Sequence, residues 1–96
     1  MHTSARSIET QRSRWCRHTT RVRPVVPNTD CCRDCLTSGQ TWVELWLCLT
    51  CGWVACSNDS PGCHAEAHYV ETDHPIAAPL LGPPGVRWCF IHQRNV

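Results

Sequence analysis

Two CxxC motifs, Cys32/Cys35 and Cys48/Cys51, constrain this chain more than any other feature, and three histidines follow them within residues 63–75. Nine cysteines and six histidines occur in only 96 residues. Thiolate and imidazole groups at these spacings bind zinc, whereas an odd number of cysteines disfavours a disulfide framework. A core this small also needs stabilisation beyond apolar burial. The sequence therefore predicts a fold organised by structural zinc.

The segment richest in Trp, Val and Leu predicts a sheet. Residues 41–56, TWVELWLCLTCGWVAC, predict two short strands that meet at the CLTCG knuckle, where Gly52 permits a tight backbone turn. Further strands are predicted at residues 76–81, IAAPLL, and 86–91, VRWCFI, with a GPPG turn between them.

One main helix is predicted at residues 64–71, HAEAHYVE, with its end near Glu71. Pro75 biases His74 away from the helical region, so we expect the chain to turn back at that point. His64 and His68 lie four residues apart, which places them on one face of the helix about 6 Å apart along its axis. They could share one zinc ion or serve two.

The ligands in the middle of the chain suffice for two closed tetrahedral zinc sites. Because a strand separates the two CxxC motifs, each motif is expected to recruit its own later partners. The sites predicted in this way are site 2, Cys32, Cys35, Cys56 and His64, and site 3, Cys48, Cys51, His68 and His74.

A third set of ligands lies near the two ends of the chain. Cys16 and His18 form a CxH pair, and Cys89 and His92 form a CxxH pair. Together these four residues make up site 1, which would tie the two ends of the domain together.

The predicted strands, helix and zinc sites together indicate the fold class. It is α+β, a small zinc-stapled domain with a short antiparallel sheet, one main helix and interleaved zinc sites.

Charge divides the chain into two parts. Residues 1–23 contain six arginines and one glutamate, whereas residues 24–96 contain three arginines and seven acidic residues. An Arg-, Ser- and Thr-rich terminus with few apolar residues is typical of disordered chain, so residues 1–13 are predicted to be a basic disordered arm and residues 14–96 the folded domain. Nucleic-acid binding by the arm is the less favoured interpretation.

The chain contains no secretory h-region, and no segment approaches the roughly 20 apolar residues of a membrane span. Free thiolates available for metal binding fit a reducing compartment. We therefore expect a cytoplasmic protein without a membrane partner.

The strings WLCLTCGWVAC, HAEAHYVETDHPI and WCF resemble the ubiquitin-protease-type (UBP-type) zinc finger over about residues 14–92. The pattern is most similar to that of the small stand-alone bacterial members. The resemblance implies three zinc ions, with an N-terminal CxH pair joined to a C-terminal CxxC pair, and it agrees with the interleaved assignment of sites 2 and 3. Here His92 stands in place of the last cysteine of site 1.

The resemblance also implies a pocket that grips the free C-terminal Gly-Gly of ubiquitin. Trp46 and Trp88 stand where the family has aromatic walls, Asn58 stands in place of its arginine, and Phe90 in place of a tyrosine, with a later tyrosine position near Asn95. Loss of one charged hydrogen bond costs about 1.5–3 kcal/mol, so ubiquitin binding is expected to be weak. The expected function is a protein-interaction module, a degenerate reader of the C-terminal tails of ubiquitin-like proteins. The same aromatic side chains could instead fill the core.

An enzymatic function is not expected. The HAE at residues 64–66 resembles part of a zinc deaminase signature, but no CxxC follows it, and the glutamate of HAEAH is misplaced for a HExxH motif. Catalytic zinc also needs an open coordination position, whereas the predicted sites are filled by protein ligands. A redox- or zinc-responsive protein that uses the two remaining cysteines, Cys31 and Cys63, is the alternative.

Overall fold

The structure, a computed structural model, describes residues 16–96. The predicted basic arm at residues 1–13 and the predicted start of the domain at residue 14 lie outside the described residues. The α+β fold class is confirmed, because one antiparallel sheet of five strands packs with two α-helices. No helix within residues 16–96 is long and apolar enough to cross a membrane.

The sheet is built from very short strands. The strands are β1 Leu45–Cys48, β2 Val54–Cys56, β3 Ile76–Pro79, β4 Trp88–Cys89 and β5 Arg94–Asn95. Every neighbouring pair is antiparallel, and the spatial order is β2-β1-β3-β4-β5. The third strand therefore lies between the first hairpin and the C-terminal hairpin.

The β1–β2 hairpin contains the predicted knuckle. Gly52 has a φ of 85° and its N–H donates to the carbonyl of Cys48 at 2.9 Å. A Cβ atom at this glycine would lie 2.5 Å from the carbonyl oxygen of Val26. The tight turn and the close approach of a neighbouring backbone both require a residue without a side chain.

Three helical segments flank the sheet. A 3₁₀-helix spans Arg17–Arg21, α1 spans Arg33–Ser38 and α2 spans His64–Thr72. The predicted main helix, α2, ends one residue beyond Glu71. Asp73 terminates it in the left-handed conformation, and the N–H of Asp73 donates to the carbonyl of Tyr69 at 2.7 Å.

Two local features differ from what the sequence predicted. Helix α1 was not predicted, because six residues are too few to show a helical period; Gly39 closes it with a φ of 73°. The single strand predicted at residues 86–91 is limited to Trp88–Cys89, and the chain then turns and returns as β5. This return is stabilised by the N–H of Gln93, which donates to the carbonyl of Cys89 at 2.8 Å.

The two faces of the sheet have different partners. The register pairs Trp46 with Pro79 and Trp88 with Asn95, and residues opposite each other point to the same face. Helix α2 packs against this face, and its Ala65 joins a cluster of buried residues there. On the other face, a second buried cluster contains Cys16, Ile76 and Cys89.

Candidate metal centres and adjoining groove

The structure gathers the twelve predicted ligand residues into three groups of four. Within each group, the candidate donor atoms all lie within 4.8 Å of one another. The groups have the same members as the predicted sites 1, 2 and 3. They are Cys16, His18, Cys89 and His92; Cys32, Cys35, Cys56 and His64; and Cys48, Cys51, His68 and His74.

Site 2 has the dimensions of a tetrahedral zinc site. Bond lengths of about 2.3 Å to sulfur and about 2.0–2.1 Å to nitrogen give sulfur-to-nitrogen separations of about 3.5 Å on a tetrahedron. The Nδ1 atom of His64 lies 3.4, 3.3 and 3.3 Å from the Sγ atoms of Cys32, Cys35 and Cys56. These four donors therefore fit zinc without rearrangement of the side chains.

Elements distant in the chain deliver the ligands of site 2. Cys32 precedes α1 and Cys35 lies within it, Cys56 ends β2, and His64 begins α2. The N–H of His64 also donates to the Sγ of Cys56 at 3.1 Å, which favours the thiolate form. All three cysteines are fully buried.

Burial raises the pKa of the Cys35 thiol to about 12, and the neighbouring Cys32 and Cys56 add to the shift. Three thiolates cannot coexist in this environment without a compensating charge. A divalent cation supplies that charge, and such ions deprotonate the thiols that coordinate them.

Site 3 joins the knuckle to α2. Cys48 ends β1 and Cys51 lies in the turn after it, with Sγ atoms 3.6 Å from Nδ1 of His74 and 3.4 Å from Nε2 of His68, respectively. The left-handed conformation of Asp73 turns the chain so that His74 returns to His68. The prediction that the chain turns back before Pro75 agrees with this geometry.

The imidazole of His68 is held in the form that binds metal. Burial lowers its pKa, and the neighbouring His74 lowers it further. The ring stacks on Trp53, with ring centroids 6.0 Å apart and an angle of 17° between the planes. A neutral, oriented imidazole is the state that a zinc ligand requires.

Site 1 connects the 3₁₀-helix to the C-terminal hairpin. The Nδ1 atom of His18 lies 3.4 Å from the Sγ of Cys16 and 3.6 Å from that of Cys89, and Nδ1 of His92 lies 3.5 Å from the latter. The pKa of His18 is lowered by burial first, and then by His92 and two nearby arginines. The distances again fit zinc, with His92 as the most exposed part of the site.

The predicted tail-binding residues separate into two environments. Trp46, Asn58 and Trp88 line one groove with a volume of about 300 Å³, and the two indole centroids lie 5.8 Å apart. Glu44 and Asp59 bring carboxylates to the same groove. We call it the aromatic groove; its remaining lining residues are Pro79, Val86 and Asn95.

Phe90 lies beneath the groove and does not line it. Only 3% of the residue is exposed, and its ring stacks on Tyr69 with centroids 5.3 Å apart. It also contacts Trp46, with centroids 5.7 Å apart. Phe90 therefore supports the aromatic wall from within the core. For this residue, the structure agrees with the alternative interpretation that the aromatic side chains fill the core.

Glu44 and Asp59 were not identified from the sequence. Glu44 lies two residues before Trp46, so strand alternation was the available signal that it shares a face with the tryptophan. The position of Asp59 depends on the hairpin, in which the N–H of Ser57 donates to the carbonyl of Glu44 at 2.9 Å.

Cys31 and Cys63 belong to none of the three ligand groups found in residues 16–96. Cys63 precedes α2 in the left-handed conformation, and its Sγ contacts the carbonyl oxygen of Ser60 at 3.3 Å. Neither position supplies an observation that favours a redox-responsive function.

A sheet and two helices that present three groups of four Cys and His donors define a zinc-finger module. The sequence model described as "Zn-finger in ubiquitin-hydrolases and other protein" matches residues 32–96, more than half of the chain. The chain belongs to this UBP-type zinc-finger family, and its zinc binding is supported by the family and by the donor geometry together.

Two curated proteins match about half of this chain. The chain is 51% identical over 47 residues, 49% of its length, to the NAD-dependent deacetylase sir2A of Dictyostelium discoideum. It is 42% identical over 49 residues, 44% of its length, to ubiquitin carboxyl-terminal hydrolase 14 of Schizosaccharomyces pombe. The matches span only 9% and 6% of those two proteins.

A solved structure has the same fold. The solution NMR structure of protein RPA1320 from Rhodopseudomonas palustris superposes with a TM-score of 0.75 at 41% identity, and the match covers 84% of this chain and 79% of that one. The similarity extends over most of both chains.

Proposed function

We propose that this chain is a zinc-stabilised protein-interaction module that receives an extended peptide tail in the aromatic groove. The observation that carries the proposal is that Trp46, Asn58 and Trp88, distant in sequence, line one groove. Aromatic side chains offer large contact area with little loss of conformational entropy, as peptide-binding surfaces require. Each of the three sites holds one structural zinc ion in this proposal.

Binding, and not catalysis, is the proposed role of the metal centres. Four protein donors surround each candidate ion position, which leaves no open coordination position for a substrate. Glu66 lies on α2 between two ligand histidines, but it belongs to none of the three groups in the described chain. The zinc ions would fix the elements that carry the groove.

Recognition of a free terminal carboxylate is weak in this proposal. Asn58 is neutral, and the carboxylates of Glu44 and Asp59 line the same groove. A peptide ending in a free Gly-Gly would place a third carboxylate beside these two. Ubiquitin is therefore not the expected partner. We expect the partner to have a tail of another type.

An NMR titration tests the proposal. The zinc-loaded protein is titrated with peptides that end in Gly-Gly, with free and with amidated C-termini, while the indole N–H resonances of Trp46 and Trp88 are followed. We expect both resonances to shift on addition of the amidated peptide. Indole resonances that stay unchanged up to the highest concentration of each peptide would contradict the proposal.

Asn58→Arg restores the charge that the family has at this position. It is expected to improve binding of the free carboxylate about ten- to a hundredfold, and to leave the amidated peptide nearly unaffected. Thr37→Arg is the matched control, because it adds the same charge at an exposed position on α1 outside the groove. Equal gains from both variants would indicate a general charge effect.

A further inference from the structure

Two carboxylates lie where the aromatic groove adjoins a second groove. Glu44 and Asp59 line both. The second groove has a volume of about 390 Å³. We call it the apolar groove; its other lining residues are Trp42, Val43, Leu45, Leu80, Leu81 and Gly82.

The apolar groove leaves large side chains in solvent. Leu81 is 94% exposed and Val43 is 70% exposed. Grouped apolar residues at a surface mark sites of interaction. A partner segment that crosses both grooves would meet apolar contacts on one side of the carboxylates and two indole rings on the other.

One carboxylate is fixed against the aromatic wall. The indole Nε1–H of Trp46 donates to Oε1 of Glu44 at 2.9 Å. This bond holds the negative charge beside the Trp46 and Trp88 rings. Negative charge next to aromatic faces is the arrangement that attracts an ammonium or guanidinium group.

No basic side chain is among the residues that line either groove in the described part of the chain. Arg94 pairs with Cys89 in the β4–β5 ladder, so it points to the sheet face opposite Trp88 and Asn95. Arg87 lines a third groove, which shares Val86 and Asn95 with the aromatic groove, but Arg87 itself does not line the aromatic groove. Asn58 contributes a neutral amide, whose Oδ1 has no hydrogen-bond partner within residues 16–96.

We propose that the two grooves select an extended peptide of a partner protein in which a basic residue is flanked by apolar residues. The cation would lie against Trp46 and Trp88 beside the carboxylates of Glu44 and Asp59, and an apolar neighbour would enter the apolar groove. This inference rests on the proposed peptide-binding function and specifies its ligand. The positive group replaces the terminal carboxylate as the feature recognised.

Three peptides that differ at one position provide the test. The zinc-loaded full-length protein is titrated by calorimetry with Ac-Ala-Leu-Xaa-Leu-Ala-NH₂, where Xaa is Lys, Gln or Glu. We expect the Lys peptide to bind about tenfold more tightly than the Gln peptide, and the Glu peptide to bind most weakly. The preference for Lys should decrease as salt is added, because exposed charges are screened.

The variants Glu44→Gln and Asp59→Asn are expected to reduce the ratio between the affinities for the Lys peptide and the Gln peptide, because each removes one of the two carboxylates beside the cation. Glu66→Gln is the matched control, because it removes one carboxylate from α2 that lines neither groove. Zinc content and circular dichroism establish that each variant is folded.

The outcomes separate the two proposals. If the Lys, Gln and Glu peptides bind equally well, the charge preference is refuted while the peptide-binding function stands. If the Glu peptide binds best, the groove recognises anions and the inference is wrong. If the wild-type protein binds none of the three peptides and also fails the indole titration, both proposals fall.

Discussion

Neighbouring residues in β4 serve opposite faces of the sheet. Trp88 lines the aromatic groove, whereas Cys89 belongs to site 1 on the other face. The alternation of side chains along a strand makes this division possible within a strand of only two residues. A metal ligand therefore fixes the position of the groove tryptophan through one peptide bond.

At the residue scale, Gly52 is expected to be the least replaceable glycine. Gly52→Ala combines an unfavourable φ with a clash against the backbone of Val26, so it should lower the free energy of unfolding by more than about 2 kcal/mol. Gly39→Ala is the control, since its φ is also positive but nothing lies within 4 Å of the added Cβ. Its cost should be about 1 kcal/mol.

Urea unfolding of the zinc-loaded proteins measures both changes. Equal destabilisation by the two substitutions would mean that backbone conformation alone matters and that the contact with Val26 has no energetic consequence.

At the element scale, both ends of α2 are set by left-handed residues. Cys63 precedes the helix with a φ of 47°, and Asp73 follows it with a φ of 64°. The first directs His64 towards site 2, and the second returns His74 to site 3. The helix is thus placed between two metal centres by its flanking residues, and its own sequence has no strongly apolar face.

Asp73→Gly is expected to stabilise the protein by about 0.5–1 kcal/mol, because glycine adopts the left-handed conformation without a steric penalty. Asp73→Ala should instead destabilise the protein, since alanine has neither this conformational freedom nor a polar side chain. The midpoints of urea unfolding at equal zinc content test the pair. Destabilisation by glycine would show that the aspartate side chain stabilises the protein by more than the strain of its left-handed backbone destabilises it.

The sequence predicts the elements whose ligand spacing is informative and misses those that depend on tertiary contacts. The β1–β2 hairpin and α2 follow from the knuckle and from the helical spacing of His64 and His68, and the fold class is confirmed. Helix α1 has no period to detect, and its Thr37 and Ser38 hydroxyls donate back to carbonyls of their own turn.

The lining of the aromatic groove was only partly predictable, because it also depends on tertiary contacts. Tryptophan and asparagine positions follow from the family resemblance, but the proximity of Glu44 to Asp59 depends on a hairpin register that the sequence between them does not specify. Phe90 was assigned to the groove by position alone, and its burial follows from packing against α2.

At the scale of the whole molecule, each ligand group joins elements that are distant in the chain. Site 1 joins the 3₁₀-helix to the C-terminal hairpin, site 2 joins α1, β2 and α2, and site 3 joins the knuckle to α2. The sheet between them contains two strands of two residues, which provide few hydrogen bonds. The connections needed for a stable fold therefore converge on the metal centres.

Chelation is expected to unfold the protein. A structural zinc site contributes about 10–16 kcal/mol of apparent binding free energy, more than the roughly 3–5 kcal/mol that a core of this size supplies. Native mass spectrometry should count three ions, and circular dichroism should show loss of structure once they are removed. Two ions would eliminate one site, and a folded spectrum after verified removal of zinc would contradict the dependence on metal.

Acid is expected to destabilise the protein below about pH 6.5, the ordinary pKa of histidine. Burial lowers the pKa values of His18 and His68 in the folded state. The unfolded state therefore binds more protons as the pH falls, so the stability that these groups contribute is present above the unfolded pKa and is lost below it. Protonation of the ligands also releases zinc, which acts in the same direction. Urea midpoints measured from about pH 7.5 to about pH 5, with a zinc-sensitive dye in parallel, should fall as zinc is released; a constant midpoint would show that neither imidazole is linked to folding.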